Sequence, residues 1–230
     1  MLNTQDIKNE FVKKYKEGKF RTIGNDIQQS RTIEIQNAHF EVDKPWIIRE
    51  PNYPYVDREL QWYKSMSLNV NDIPDGAPKM WKACATKDGF INSNYGWMIF
   101  SKENYDQFDN CLKHLIEDHH TREACMIYNR PSMQYDYNKD GMHDFCCTYA
   151  VQCFLNEDEN DDWHLGYTVF MRSNDAVFGF NNDAMWHSYV QLLMSESLTD
   201  KLGKKVFCDN IVWNAASLHI YERHFEYLND

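Results

Sequence analysis

A cysteine, an arginine and two carboxylates in this 230-residue chain have the types and settings that covalent and acid–base chemistry requires. Cys147 stands in FCCTYAVQCFL (145–155), an apolar segment that reads as a strand. Its sulfur attacks only as a thiolate, so a reactive Cys147 needs donors or positive charge beside it. Arg172 lies at the end of the next apolar segment, HLGYTVFMRS, across an acidic hairpin, and strand pairing can bring it to the same place. The opposing reading is a packed thiol and a surface ion pair. Glu59, in RELQWY, lies either on the wet face of a helix or against Leu60 and Trp62, where burial raises a carboxyl towards use as an acid. Asp183, in FNNDAMW, suits a helix N-cap. Pointed into a pocket, the same carboxylate accepts from an amino group.

Tyr95, in NSNYG, reads as a buried aromatic or a turn residue, and Asp175 as a local cap. His219 and Tyr221 are two apart, a spacing that does not share a helical face, so an extended or loop segment is expected there. Cysteines stand at 84, 111, 125, 146, 147, 153 and 208. An odd number without a CxxC pair points to reduced intracellular thiols. Adjacent Cys146 and Cys147 point oppositely on a strand, poor geometry for joint metal binding, and no metal is expected.

These groups need a scaffold, and the periodicity supplies one. Ile7, Phe11, Val12 and Tyr15 predict a helix over Gln5–Tyr15. Gly24–Ser30 reads as a loop, and Thr32–Val42 as two short strands around Asn37. Pro51 and Pro54 introduce a helix from about Val56, striped by Val56, Leu60 and Tyr63. NDIPDGAP is a turn; Tyr105, Phe108, Leu112, Leu115 and Ile116 outline a helix; Met126–Tyr128 reads as a strand. YDYNKDGMHD is a loop and NEDENDDW a solvated turn between strands. A helix is predicted from Asp183 to about Met194, then a strand near Val206–Trp213 and a last helix through Leu218, Tyr221 and Phe225. Strands and helices mix without regular βαβ spacing, so the fold class expected is α+β, one domain over residues 1–230.

Composition narrows the partners. Hydrophobic residues make up 43% and charged ones 26%, an ordinary globular mixture. The formal charge of −11 lacks the Lys and Arg excess of a duplex-binding surface, so no direct DNA binding is expected, although a nucleotide pocket with a few arginines remains compatible. No apolar run reaches the ~18 residues of a membrane helix, and MLNTQDIKNE shows no secretory leader.

Longer blocks are more specific than any single residue. YVDRELQWYKS, INSNYGW, MIYNRPSMQYDYNKDGMHDF, CTYAVQ, MRSNDAVFGFNNDAMW and IVWNAASLHIYERHF follow one another from about residue 32. In this order they resemble the thymidylate synthase family, and within it the phage branch that hydroxymethylates deoxycytidylate. The resemblance implies a thymidylate synthase-like fold and a folate-dependent transfer of one carbon to a pyrimidine deoxynucleotide. It makes Cys147 the nucleophile, Arg172 and Ser173 phosphate ligands, and Glu59 the residue that steers water and protons. It sets Tyr95 near the reacting ring, Asp175 against the base region, and His219 and Tyr221 on the sugar 3′-hydroxyl. Thr148 stands where ordinary synthases have histidine. Asp183 stands where uracil-specific synthases have asparagine, and a carboxylate there favours the N4 amino group of cytosine and repels O4 of uracil. The expected substrates are therefore dCMP and 5,10-methylenetetrahydrofolate. The resemblance also implies a homodimer in which Arg122 reaches the neighbouring site, in the cytoplasm of a phage-infected bacterium and alongside a phage nucleotide-synthesis complex.

The chain departs from the family pattern in three places. Glu123 follows Arg122 where a second arginine is expected, so either Glu123 turns away or His119 or His120 substitutes. GNDIQQSRTIEI carries Arg31 offset from the family's phosphate-loop arginine. EYLND ends soon after the last helix, without the tail expected to fold over folate. A dCMP methylase, a dUMP-specific enzyme and an inactive nucleotide-binding homologue are the alternatives.

Overall fold

The computed structural model describes residues 1–24 and 29–229. The elements run α1 (Thr4–Lys16), β1 (Arg21–Gly24), β2 (Gln29–Val42), α2 (Tyr53–Ser65), α3 (Lys79–Cys84), α4 (Tyr95–Phe100) and α5 (Gln107–Glu117). Then come β3 (Cys125–Ile127), the single turn α6 (Met133–Asp136), β4 (Thr148–Glu157), β5 (Trp163–Met171), β6 (Asn174–Asp175), α7 (Gly179–Leu202), β7 (Val206–Cys208) and β8 (Ile211–Tyr221), with a 3-10 segment at Glu222–Leu228. Among the described residues the eight strands form one sheet ordered β1-β2-β8-β5-β4-β3, with β6 beside β8 and β7 beside β5. The sheet is mixed: β4–β5 and β2–β8 are antiparallel, whereas β5–β8 is parallel. The α+β expectation holds.

Alternation decides which sheet face is covered. Leu165, Tyr167, Val169 and Met171 of β5 are buried, whereas Phe170 between them is exposed. The covered face packs on α7, where Tyr167 meets His187 and Gln191 donates to the Leu165 carbonyl. Helix α7 buries Phe180, Ala184, His187, Gln191 and Met194 at helical spacing and ends at Gly203, whose φ of 65° suits a residue without a Cβ. Each large apolar side chain so buried contributes roughly 1.5–3 kcal/mol, and truncation of one such as Phe180 to alanine costs about 3–5 kcal/mol.

Several local expectations are corrected. β2 is one strand of 14 residues rather than two, because its ladder with β8 resumes in the same register on both sides of Asn37. Asn37 itself takes a left-handed φ of 54°, which asparagine tolerates. Of the expected Gly24–Ser30 loop, Gly24 closes β1 and Gln29 and Ser30 open β2; residues 25–28 lie outside the described ones. Tyr105 is off the apolar face of α5, 82% exposed with a φ of 66°. Helix α7 starts four residues before Asp183 and runs eight past Met194. The final helix through Leu218 and Tyr221 is absent: both lie in β8, where alternate residues Ile211, Trp213 and Ala215 are buried and the alternation resumes, shifted by one residue, at Leu218 and Ile220.

Candidate functional site

Cys147 is not inside the strand, as expected from 145–155, but in the bend immediately before β4. A β-bulge follows, since Thr148 pairs with Met171 and Ala150 with Phe170, leaving Tyr149 unpaired with β5. The Arg172 N–H donates to the Cys147 carbonyl at 2.7 Å, so the main chain joins the start of β4 to the end of β5. The guanidinium donates through Nη2 to the Phe145 carbonyl at 3.0 Å and stands 3.7 Å from Cys147 Sγ. Burial, and after it the Asp183 charge, push the Cys147 thiol up to about 12, against the pull of Arg172. The resting side chain at neutral pH is a thiol.

Opposite lies a network of acids. Glu59 is on α2 but not on its wet face: it is 4% exposed and accepts from Tyr55 Oη at 2.5 Å and Trp81 Nε1 at 2.6 Å. Burial raises its carboxyl pKa, offset in part by hydrogen bonds from Tyr55, Trp81 and Asn182. Asp183 is not the N-cap of α7, which is Phe178; it is in the second turn of the helix. Asn174 Nδ2 donates to Asp183 Oδ2 at 2.7 Å. Burial, then the Glu59 charge, raise Asp183 to about 7, while hydrogen bonds from Asn174 and Tyr95 oppose the rise.

Tyr95 is delivered by a close approach of α2 and α4. A Cβ on Gly96 would fall 1.8 Å from the Tyr63 carbonyl oxygen, so only glycine lets the helices meet here. Tyr95 then stacks on Tyr63 with centroids 5.2 Å apart, and its hydroxyl receives a hydrogen bond from Thr148 Oγ1 at 3.0 Å. The preceding NSN turn is fixed by Asp144, which is buried and accepts from the Asn92 and Ser93 N–H groups and from Ser93 Oγ.

His219 and Tyr221 are in β8, extended as their spacing requires. Asp175 pairs with His219 across β6–β8, and its carboxylate accepts from the Val177 N–H at 3.1 Å, the local cap expected of it. Burial raises Tyr221 and lowers His219, and charges of Asp175 and Arg172 act on both. Cys147, Arg172, Glu59, Tyr95, Asp175, Asp183, His219 and Tyr221 therefore share one site, with half-buried Ser173 next to Arg172.

Arg122 is not part of it. It is exposed before β3, where Cys125 faces Gln152, five residues up β4 from Cys147 and thus roughly 16 Å away. Glu123 turns to His114, with Oε2 3.7 Å from Nδ1, and His119 packs on Trp163. Arg31 is committed to Glu222 through Nε at 2.9 Å and lies over the Phe20 ring. A surface groove of about 550 Å³ between α1 and β1–β2 is lined by charges that pair locally: Arg21 with Glu34, Lys14 with Glu10 and Lys19 with Glu17. Among the described residues no His, Cys, Asp and Glu side chains gather as a metal site.

Sequence reading missed Asn174, Asp144, Tyr55 and Trp81. Tyr55 was accessible to it, since i and i+4 on a helix are neighbours. The other three reach their partners across loops and carry no periodic signal.

A mixed sheet presenting a cysteine–arginine pair opposite a buried carboxyl network is a candidate active site. Comparison makes the class specific. The thymidylate synthase family model matches residues 19–230, and the chain belongs to the thymidylate synthase family. It is 49% identical over 201 residues to the deoxycytidylate 5-hydroxymethyltransferases of Enterobacteria phages T4 and T2, covering 87% of this chain and 79% of each relative. Identity to a Bacillus licheniformis thymidylate synthase is 27% over 180 residues, 75% of this chain and 58% of that one. The structure of thermostable thymidylate synthase A from Bacillus subtilis superposes with a TM-score of 0.68 at 19% identity, covering 99% and 83% of the two chains, which shows the shared fold.

Proposed function

We propose that the protein transfers one carbon from 5,10-methylenetetrahydrofolate to C5 of dCMP, and that water completes a 5-hydroxymethyl group. The observation that carries this reading is the carboxyl of Asp183 in the same site as Cys147 and Arg172. A carboxylate accepts from the cytosine amino group, whereas it repels the carbonyl oxygen that uracil has there. The phage relatives, whose name states 5-hydroxymethyl transfer to deoxycytidylate, support it.

Arg172 and Ser173 hold the 5′-phosphate; the guanidinium has donors beyond those given to main-chain carbonyls. His219 and Tyr221 hold the sugar 3′-hydroxyl, and Asp175 places the base through its main chain. Base donors seated on Asp183 offset the charge that, after burial, most opposes ionisation of Cys147. Substrate binding thus helps to generate the thiolate. Cys147 Sγ bonds to C6, and C5, made nucleophilic, bonds to the one-carbon unit of the folate. The C5 proton passes towards Glu59 and Tyr95, tetrahydrofolate leaves as the carbon–nitrogen bond breaks, and water adds to the exocyclic methylene so formed. Cleavage of the S–C6 bond restores the ring.

The folate supplies a carbon at the oxidation level of formaldehyde. Phe178, 42% exposed, has the Arg49 guanidinium 5.2 Å from its ring centre, and Trp81 borders Glu59. Aromatic surface with a cation suits a planar ring carrying an acidic tail.

The chain acts as one catalytic domain in a homodimer, with exposed Arg122 serving the partner's phosphate. The setting is the cytoplasm of a phage-infected cell, in company with other nucleotide-synthesis enzymes; among the described residues no helix is long and apolar enough to cross a membrane. Release of tritium from [5-³H]dCMP in the presence of the folate tests the reading. Wild type releases it and Cys147→Ala does not; equal release by both overturns the covalent mechanism.

A further inference from the structure

Asn174 lies in the MRSND block, and neither its neighbours in sequence nor the roles above account for it. It is 2% exposed. Its Nδ2 is given to Asp183 Oδ2 at 2.7 Å, while its Oδ1 is buried without a partner among the described residues. Most buried amides are satisfied at both ends. Here one end is committed and the other is left over, which marks an amide retained for its donor. Turned over, it would set oxygen against oxygen unless the carboxyl carried a proton.

We propose that Asn174 is the positioning residue of base selection: its amide holds Asp183 Oδ2 as an acceptor, so that the carboxylate meets the amino-bearing base as an acceptor too. This rests on the dCMP reading above. Titratable groups face Asp183 from every side: Glu59 and Tyr63 from α2, Tyr95 from α4, Cys146 and Cys147 from the segment before β4, and Asp175 from β6. The acids among them favour the protonated carboxyl, as burial does; the Asn174 and Tyr95 hydrogen bonds oppose it. Without the amide Asp183 holds its proton to higher pH, and a protonated carboxyl donates to uracil O4 as readily as it serves cytosine.

The test is Asn174→Ala, with Asn174→Ser as a second variant whose hydroxyl is too short to span the gap. The acidic limb of kcat/KM against pH for dCMP moves up by about one pH unit, and the dCMP:dUMP preference falls at least about tenfold. Folding is checked by circular dichroism, and a merely structural role lowers kcat without moving the limb or the preference. In an Asp183→Asn background, Asn174→Ala no longer moves the limb. An unmoved limb and an unchanged preference in a folded variant overturn the proposal. Wild type inactive on dCMP overturns the parent reading instead. The ¹³C titration of the Asp183 carboxyl then still decides for Asn174: an upward shift in the variant supports its role, and an unshifted titration rejects it.

Discussion

Cys147 and Arg172 are held by the main chain, whereas Asp183, Glu59 and Tyr95 are held by neighbouring side chains. In the first region the hydrogen bonds run from the Arg172 N–H to the Cys147 carbonyl and from the guanidinium to the Phe145 and Cys146 carbonyls. Their geometry survives changes in neighbouring side chains, because the register of β4 and β5 sets it. In the second region Asn174, Tyr55, Trp81, Asn182 and Thr148 fix the acids, and each partner's identity sets a proton affinity. The bond-forming half is thus built from backbone, and the base-reading half from exchangeable side chains. A family can keep the first and vary the second to change its substrate.

Predictions that separate the halves run from large to small. Cys147→Ala removes the bond to C6, and turnover falls at least about 10⁴-fold, while dCMP binding measured by calorimetry stays within about threefold of wild type. Glu59→Gln keeps the hydrogen bonds from Tyr55 and Trp81 but abolishes proton exchange; kcat drops about a hundredfold or more with KM little changed in steady-state assays. Asp183→Asn alters what is read rather than what reacts. It should shift the dCMP:dUMP ratio of kcat/KM towards dUMP by roughly 10–100-fold in a competition assay, and an unmoved ratio would remove Asp183 from base reading.

The smallest effect concerns His187, buried under both halves with Nδ1 3.2 Å from Tyr167 Oη. Burial lowers it to about 3 from 6.5. Because the folded value is depressed, the unfolded chain takes up the proton first, and stability falls as pH drops from about 6.5 towards 3. At pH 5.5 the loss amounts to about 1.4 kcal/mol. In urea titrations at pH 7 and 5.5, His187→Phe should lose about that much less than wild type; an equal loss in both would place the proton uptake elsewhere.

The two halves also differed in how far they could be read from sequence. Cys147 and Arg172 flank a recognisable hairpin, and alternation of apolar residues predicts that their strands meet. Only the exact start of β4 was missed, since the bulge at Tyr149 has no compositional mark. Glu59 and Asp183 each carried two readings, one exposed or capping and one inside the pocket, and only the family resemblance favoured the second. Local rules gave the first a wet helix face and the second an N-cap, and tertiary packing overrode both. The last helix failed for a similar reason: Leu218, Tyr221 and Phe225 match helical spacing, yet a place between β2 and β5 makes residues 211–221 a strand.

One tube holding the protein, 5,10-methylenetetrahydrofolate and equal amounts of dCMP and dUMP addresses both halves together. Mass spectrometry should find dCMP heavier by one CH₂O unit and dUMP unchanged. A gain on dUMP alone, or no gain on either nucleotide, would contradict the account.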